Sequence, residues 1–436
     1  MAPAPTAPAG VSPARACAYA VVRRVFEHGA YADRALHAEA RGLDGRERSF
    51  AMALAYATVQ RRDTLDHIAG RLLNDRSVDT LQPAMRAVLR LGLAQILLLD
   101  GVAPHAAVHE SVELAKQDAH RGAGLVNAVL RRATREGAEI LAGLDDATPE
   151  HAAVLHSVPL WLAQLWWDEL GADEARALLA AVNRPAEAAL RVNTLVATPE
   201  EVIAQLPVPA RPAPGAPDGL VLEAPFDAHS SPLWERGAIM PQSRGSMAGG
   251  AAVGAQPGES VLDLCAAPGA KTTQLAALMG DQGTLVAVER HAGRAQALAR
   301  TLDRMHVTCA RVEVADATQT VGERYDRVLV DPPCSGLGTL QSRPDLRWHA
   351  SPGQIAELAP LQARILRAGA HATRPGATLV YSVCTICRAE SDDVVDAFLR
   401  EQPEFVATGG GENRYLRLTP ARDGTDGFFI ATLRRR

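Results

Sequence analysis

The chain is almost without lysine: of its 45 basic residues only Lys116 and Lys271 are lysines. In an arginine background, a retained lysine marks a place where a compact ammonium fits and a guanidinium does not. Aromatic residues are scarce, at 4%, which argues against a base-stacking sheet of the RRM kind. No apolar run approaches the ~18 residues of a membrane span. The opening MAPAPTAPAGVSPARA lacks a charged start and an apolar stretch. It reads as a disordered leader over residues 1–14, not an export signal. Cysteines number six in 436 residues, namely Cys17, Cys265, Cys309, Cys334, Cys384 and Cys387. That is no disulfide framework, so thiols in a reducing cytoplasm are expected.

Net charge is −5, yet residues 15–139 carry 18 basic against 15 acidic side chains. The rest is net acidic, so this first stretch is the better candidate for facing RNA, although a solvated surface would look the same. Residues 15–145 show apolar positions recurring at threes and fours and no strand pattern, which predicts a bundle of roughly five to seven helices. Residues 146–240 predict a linker or small α+β subdomain, with helices near 160–170 and 173–182, a strand at 188–193 and a Pro-rich loop at 207–217. In residues 241–436, short apolar strands (261–264, 284–288, 308–314, 327–330, 378–383) alternate with helices (272–279, 293–305, 354–372). That alternation predicts an α/β, doubly wound parallel sheet of the Rossmann-like kind, with ligands beyond the carboxyl ends of its strands.

The run VLDLCAAPGAKTT leads an apolar strand through a small-residue turn into a helix. Small side chains let backbone approach a ligand, and the helix start offers unpaired N–H groups. Glu289 follows Gly269 by about twenty residues, the spacing of a carboxylate that accepts from ribose hydroxyls. Asp316 ends the third strand, where it could meet an adenine amino group. A Walker A loop is excluded, because Cys265 and Ala270 stand at its glycine positions, and G-x-G-x-x-G is missing. The pattern points to a nucleoside-containing ligand; a bare strand–helix turn is the alternative.

Further on, YDRVLVDPPCSGLG places Asp331, two rigid prolines and Cys334 at a strand end, and GATLVYSVCT ends a second strand at Cys384. A thiol, a carboxyl group and a methyl donor converging on one point would suit methylation of cytosine C5, a poor nucleophile until a thiolate adds at C6. Inert core cysteines are the competing reading. Cys384 and Cys387 form a C-x-x-C, but no second pair or His pair lies nearby to complete a metal site.

These segments resemble the bacterial small-subunit rRNA cytosine-C5 methyltransferase B family (RsmB, or Sun/Fmu), nearly end to end. LCAAPGAKT, VDPPCSGLGTLQSRPDLRW, LVYSVCT, RVN at 191–193, DGFF at 426–429 and GLVNAVLRR at 124–132 carry the likeness. The resemblance implies an N-terminal all-α NusB-like, RNA-binding bundle followed by an S-adenosylmethionine-dependent methyltransferase domain. It implies that Cys265, Ala266, Ala267, Pro268, Gly269, Ala270, Lys271, Glu289, Asp316 and Asp331 contact cofactor or base, with Lys271 and Asp331 also serving the reaction. Cys384 would attack C6 and Cys334 would assist release. The implied partner is 16S rRNA or an early small-subunit assembly intermediate, met by a cytoplasmic monomer without metal or membrane. Ala270 replaces a usual Gly, Glu289 a usual Asp, and Gln242-Ser243 a usual Gln-Asp. Two other classes remain open. One is an RNA-binding assembly or antitermination factor with a decayed methyltransferase half. The other is a DNA cytosine methyltransferase in which Cys334 attacks.

Overall fold

The computed structural model describes residues 9–118, 122–319, 324–409 and 414–436. Residues 1–8 of the expected leader lie outside them. Residues 9–14 are described, and Val11 and Ala14 are buried there, just ahead of and inside the helix Pro13–His28. The chain divides into two compact units, Met1–Arg184 with Leu340–His349, and Pro185–Thr339 with Ala350–Arg436.

The first unit is helical. Seven α-helices run between Pro13 and Ala142 among the described residues. Their ends follow local chemistry: Asp44 accepts from the Glu47 N–H to start Gly45–Gln60, and prolines open Pro13–His28 and Pro83–Leu97. The apolar stripes close on one core that includes Val21, Val22, Leu54, Val88, Leu91 and Leu130. Helices Pro83–Leu97 and Ala123–Ala142 pack closely at Gly92, where a Cβ would come within 2.6 Å of Leu130. Helices Pro149–His156, Leu160–Leu170 and Ala172–Ala181 belong to the same unit. So does the segment Leu340–His349, which sequence continuity had placed with the sheet. Its Arg347 is fully buried and donates to the carbonyls of Gln60, His156, Ser157 and Val182 and to Asn183 Oδ1, at 2.9–3.3 Å. Trp348 Nε1 donates to Val59 O at 2.7 Å, and Asp345 accepts the Ala32 N–H at 3.2 Å. A buried guanidinium needs such a ring of acceptors, and the helix ends supply it to Nη1 and Nη2, while Nε has no partner among the described residues.

The second unit holds two sheets. The smaller comprises β1 (Ala189–Val192), β2 (Ala210–Ala213), β3 (Ala216–Leu222) and β4 (Ile239–Pro241), in the order β2-β3-β1-β4. The region read as a Pro-rich loop thus contains a hairpin. Its Pro212 is tolerated because β2 is an edge strand. Gly215, at φ 73°, makes the turn.

The larger sheet comprises β5 (Ser260–Leu264), β6 (Thr284–Glu289), β7 (Ala310–Val314), β8 (Tyr325–Val330), β9 (Thr373–Val383), β10 (Phe405–Ala407), β11 (Leu416–Leu418) and β12 (Phe428–Arg435). Its order is β10-β12-β9-β8-β5-β6-β7, with β11 also on β12. Strands β5 to β9 are parallel, as the alternating pattern predicts; β12 runs antiparallel against β9 and was not foreseen. Both faces are covered: Leu262, Val286, Val328 and Leu379 meet Ile365 and Leu366, while Val261, Leu285, Leu329 and Val380 meet Leu275 and Leu298. Double burial explains why these strands read as continuous apolar runs. Strand order reverses at β5, so a crevice opens beyond its carboxyl end.

Candidate active site

The loop leaving β5 is pinned from several sides. Cys265 adopts φ 68°, and Gly269, at φ 109°, caps the helix Ala270–Leu278. A Cβ at Gly269 would stand 2.8 Å from Leu298, so glycine is required on two counts. Ala266 N–H donates to Val288 O at 2.9 Å, Arg294 Nη2 to Ala267 O at 2.7 Å, and Thr272 Oγ1 to Asp263 Oδ2 at 2.6 Å. From the smaller sheet, buried Arg191 donates to Thr273 Oγ1 at 2.7 Å and to Gln242 Oε1 at 2.8 Å. Gln242 in turn donates to Gln274 Oε1 at 2.9 Å. Arg191 of the RVN motif is therefore a brace for the helix start, while Asn193 donates to Gly237 O and Met305 O. Ser243 caps Arg244–Ala251 through the Ser246 N–H, a task an Asp would also perform.

Cys265, Glu289, His291, Arg294 and Asp316 line a cavity with Val288, Ala317, Pro333, Leu361 and Ile365. Glu289 is buried; its Oε1 accepts the His291 N–H at 2.9 Å and its Oε2 lies 3.4 Å from Arg294 Nη2. Asp316 Oδ1 accepts the backbone N–H and hydroxyl of Thr318, at 2.9 and 2.8 Å, and these bonds hold its carboxyl below the ordinary pKa. Behind the loop, Asp263 Oδ1 is buried without a partner among the described residues. Burial pushes the Asp263 pKa up to about 7, with Asp331 adding to the rise against the Thr272 bond. An apolar slot edged by Glu289 and Asp316 suits a nucleoside.

Next to this slot stand the residues that the sequence offers as candidates for the reaction. Lys271 Nζ donates to Asp331 Oδ2 at 2.8 Å and sits 5.2 Å from the centre of the Phe428 ring. Burial opposes the ammonium, but Asp331, Cys384 and Asp263 outweigh it and raise its pKa. The DGFF motif thus supplies the floor beneath Lys271. Cys334 and Cys384, at the ends of β8 and β9, bring their sulfurs to 3.3 Å. The bond to Cys384 and then burial raise the Cys334 pKa well above the usual thiol value, helped by Glu390 and Asp331. Burial likewise raises Cys265, and takes Cys17 to about 11 and Cys309 to about 12, so all three stay protonated near neutrality. Cys387 is buried and its carbonyl accepts from Ser391 Oγ at 2.8 Å. Among the described residues no group of His, Cys, Asp or Glu is placed to hold a metal ion.

Sequence reasoning missed three residues here. Arg294 ties Glu289 to the loop, Arg191 braces the helix, and Glu390, fully buried, joins the segments after both cysteines. Neither Arg294 nor Glu390 lies in a recognisable motif, and RVN had no assigned role.

A crevice at the carboxyl ends of the strands, an apolar slot and two adjoining thiols fit a methyltransferase, and the family that the chain matches uses S-adenosylmethionine. Residues 251–434 match the family model described as 16S rRNA methyltransferase RsmB/F, residues 12–135 the NusB family, and residues 158–229 the RsmF/B-like ferredoxin-like domain. The chain is 36% identical to the ribosomal RNA small subunit methyltransferase B of Thermus thermophilus, over 89% of each chain. It is 31% identical to the Vibrio cholerae protein of the same name, over 96% of each. The crystal structure of PH0851 superposes with a TM-score of 0.81 at 26% identity, covering 98% of this chain and all of that one. The chain belongs to the 16S rRNA methyltransferase RsmB/F family.

Proposed function

We propose that the protein methylates C5 of a cytosine in 16S rRNA through a covalent bond between Cys384 and C6. The observation that carries this reading is the pair of sulfurs 3.3 Å apart beside the Lys271–Asp331 ion pair. S-adenosylmethionine supplies an electrophilic methyl group. The chain's own residues do the rest. Glu289 and Asp316 hold the ribose and adenine ends in the slot, and the backbone of the 265–271 loop closes over the donor. The Lys271 ammonium favours negative charge on its neighbours, Cys384 among them. Cys384 Sγ adds to C6, which turns C5 into an enamine carbon able to accept the methyl group. Asp331 hydrogen-bonds the base edge as charge builds there. After transfer, C5 gives up its proton to water, and its electron pair re-forms the C5–C6 double bond as the Cys384–C6 bond breaks and returns Cys384 as a thiolate. Cys334, held close to Cys384, assists that release. Cys384 is assigned as the attacker because LVYSVCT at 379–385 resembles the family's nucleophile-bearing strand.

The helical unit is the RNA-docking part in this reading, and the substrate is 16S rRNA or an early small-subunit intermediate in the cytoplasm. Bisulfite sequencing of 16S rRNA from cells with and without the protein tests the assignment. One protein-dependent 5-methylcytosine is expected. Identical patterns from both cells would refute it.

A further inference from the structure

Cys334 and Cys384 sit on loops that follow different strands, so neither strand alone sets the gap between their sulfurs. We propose that Glu390 sets it: one buried carboxylate acts as a positioning residue by holding the residue that follows each cysteine. The proposal rests on the paired-thiol reaction above.

Glu390 Oε1 accepts the Ser335 N–H at 2.8 Å. Its Oε2 accepts from Ser335 Oγ and, at 3.2 Å, from Thr385 Oγ1. Ser335 follows Cys334 and Thr385 follows Cys384, and the two hydroxyls are themselves 3.0 Å apart. The carboxylate is fixed in turn. Gln362 Nε2 donates to Glu390 Oε1 and to Pro333 O, each at 2.9 Å, and Tyr381 OH donates to Glu390 O at 2.7 Å. Glu390 is fully buried, and a buried carboxylate is tolerated only when its acceptor sites are filled as these are. Four hydrogen bonds converging on one buried carboxyl group make this bracket stiff. The Gly338 N–H, donating to Cys384 O at 3.0 Å, adds a second tie between the same segments.

The bracket also bears on protonation. Cys334 is faced by Cys384, Asp331, Glu390 and Tyr381, with Lys271 reached through Asp331. Glu390 is thus one of the carboxylates that hold Cys334 as a thiol while Lys271 stands by Cys384. Geometry and charge can be separated by substitution. Glu390→Gln keeps the reach: its oxygen can accept from Ser335 N–H and Gln362, and its amide can donate to the two rotated hydroxyls. Glu390→Asp keeps the charge and loses the reach.

The test is the rate at which diamide, taking up two hydrogens, joins Cys334 to Cys384 as a disulfide, followed by peptide mass spectrometry. It is paired with kcat, the S-adenosylmethionine Kd and the melting temperature. Wild type and Glu390→Gln should cross-link at similar rates, the latter with an alkylation profile for Cys334 moved to lower pH. Glu390→Asp and Glu390→Ala should cross-link more slowly and lose about 100-fold in kcat, as misplacement by about 1 Å does, with Kd unchanged. If those two variants fail to fold, Thr385→Val, which removes one arm, should still slow cross-linking. Equal cross-linking in all folded variants would overturn the bracket, as would a Gln variant as slow as Ala. Cross-linking that depends on Glu390 in an enzyme that leaves cytosine C5 unmethylated would overturn the proposed reaction and leave the bracket standing.

Discussion

Replacing Glu289 tests the cofactor slot with a number that follows from its surroundings. One oxygen of Glu289 is committed to the His291 N–H at 2.9 Å, while the other meets Arg294 at 3.4 Å and faces the cavity. Glu289→Gln can keep the first bond, because its oxygen still accepts from His291. It loses the charged second acceptor, and its amide then points at a guanidinium. A hydrogen bond to a charged group contributes about 1.5–3 kcal/mol, so the S-adenosylmethionine Kd should rise by roughly 10- to 150-fold. Stability should hardly move. Glu289→Ala loses the same contact and also strips the part-buried His291 N–H of its acceptor, which costs the fold about 0.5–1.5 kcal/mol. Titration calorimetry beside thermal melting separates the two: weakened binding with an unchanged melting temperature for Gln, and losses in both for Ala. Wild-type affinity in Glu289→Gln would remove this carboxylate from the cofactor site.

The two cysteines should fail differently: Cys384→Ala abolishes turnover and any RNA adduct, whereas Cys334→Ala accumulates a methylated protein–RNA adduct that survives denaturing electrophoresis. The reverse pattern would make Cys334 the attacker. Asp263 makes stability depend on pH. Its folded pKa of about 7 lies above the unfolded 3.8, so the neutral form is favoured by folding and its contribution is lost as pH rises through 7. Between about pH 8 and pH 5.5 the ligand-free protein should gain about 2 kcal/mol relative to Asp263→Asn; parallel melting curves for the two proteins would contradict this. Arg347→Leu leaves several carbonyls unpaired inside the helical unit and should cost more than about 3 kcal/mol in urea unfolding. A midpoint close to wild type would show that water reaches those groups. By the same argument, cutting away residues 1–184 strands Arg347, so truncation is a poor way to assign the role of that unit.

Much was legible along the chain itself. Periodicity and length identified the seven-helix stretch, because each helix buries a stripe against neighbours close in sequence. The parallel strands were legible because burial on both faces leaves them apolar throughout. The turn at 265–271 was legible as a strand-to-helix junction because small residues suit so tight a turn, and Gly269 at φ 109° takes up the left-handed backbone there. Three-dimensional packing decided the rest. The antiparallel strand β12 reads like any apolar run until β9 offers its edge. Arg347 looks like a surface charge until helix ends far away in sequence converge on it. Glu390 is one acid among several in CRAESDD, and what distinguishes it is that Ser335, Gln362, and Tyr381 with Thr385 arrive from three separate segments to fill its acceptors. Local pattern records what a residue must do for its own strand or helix; a contact made across distant segments leaves no periodic trace, because each partner is chosen by the fold.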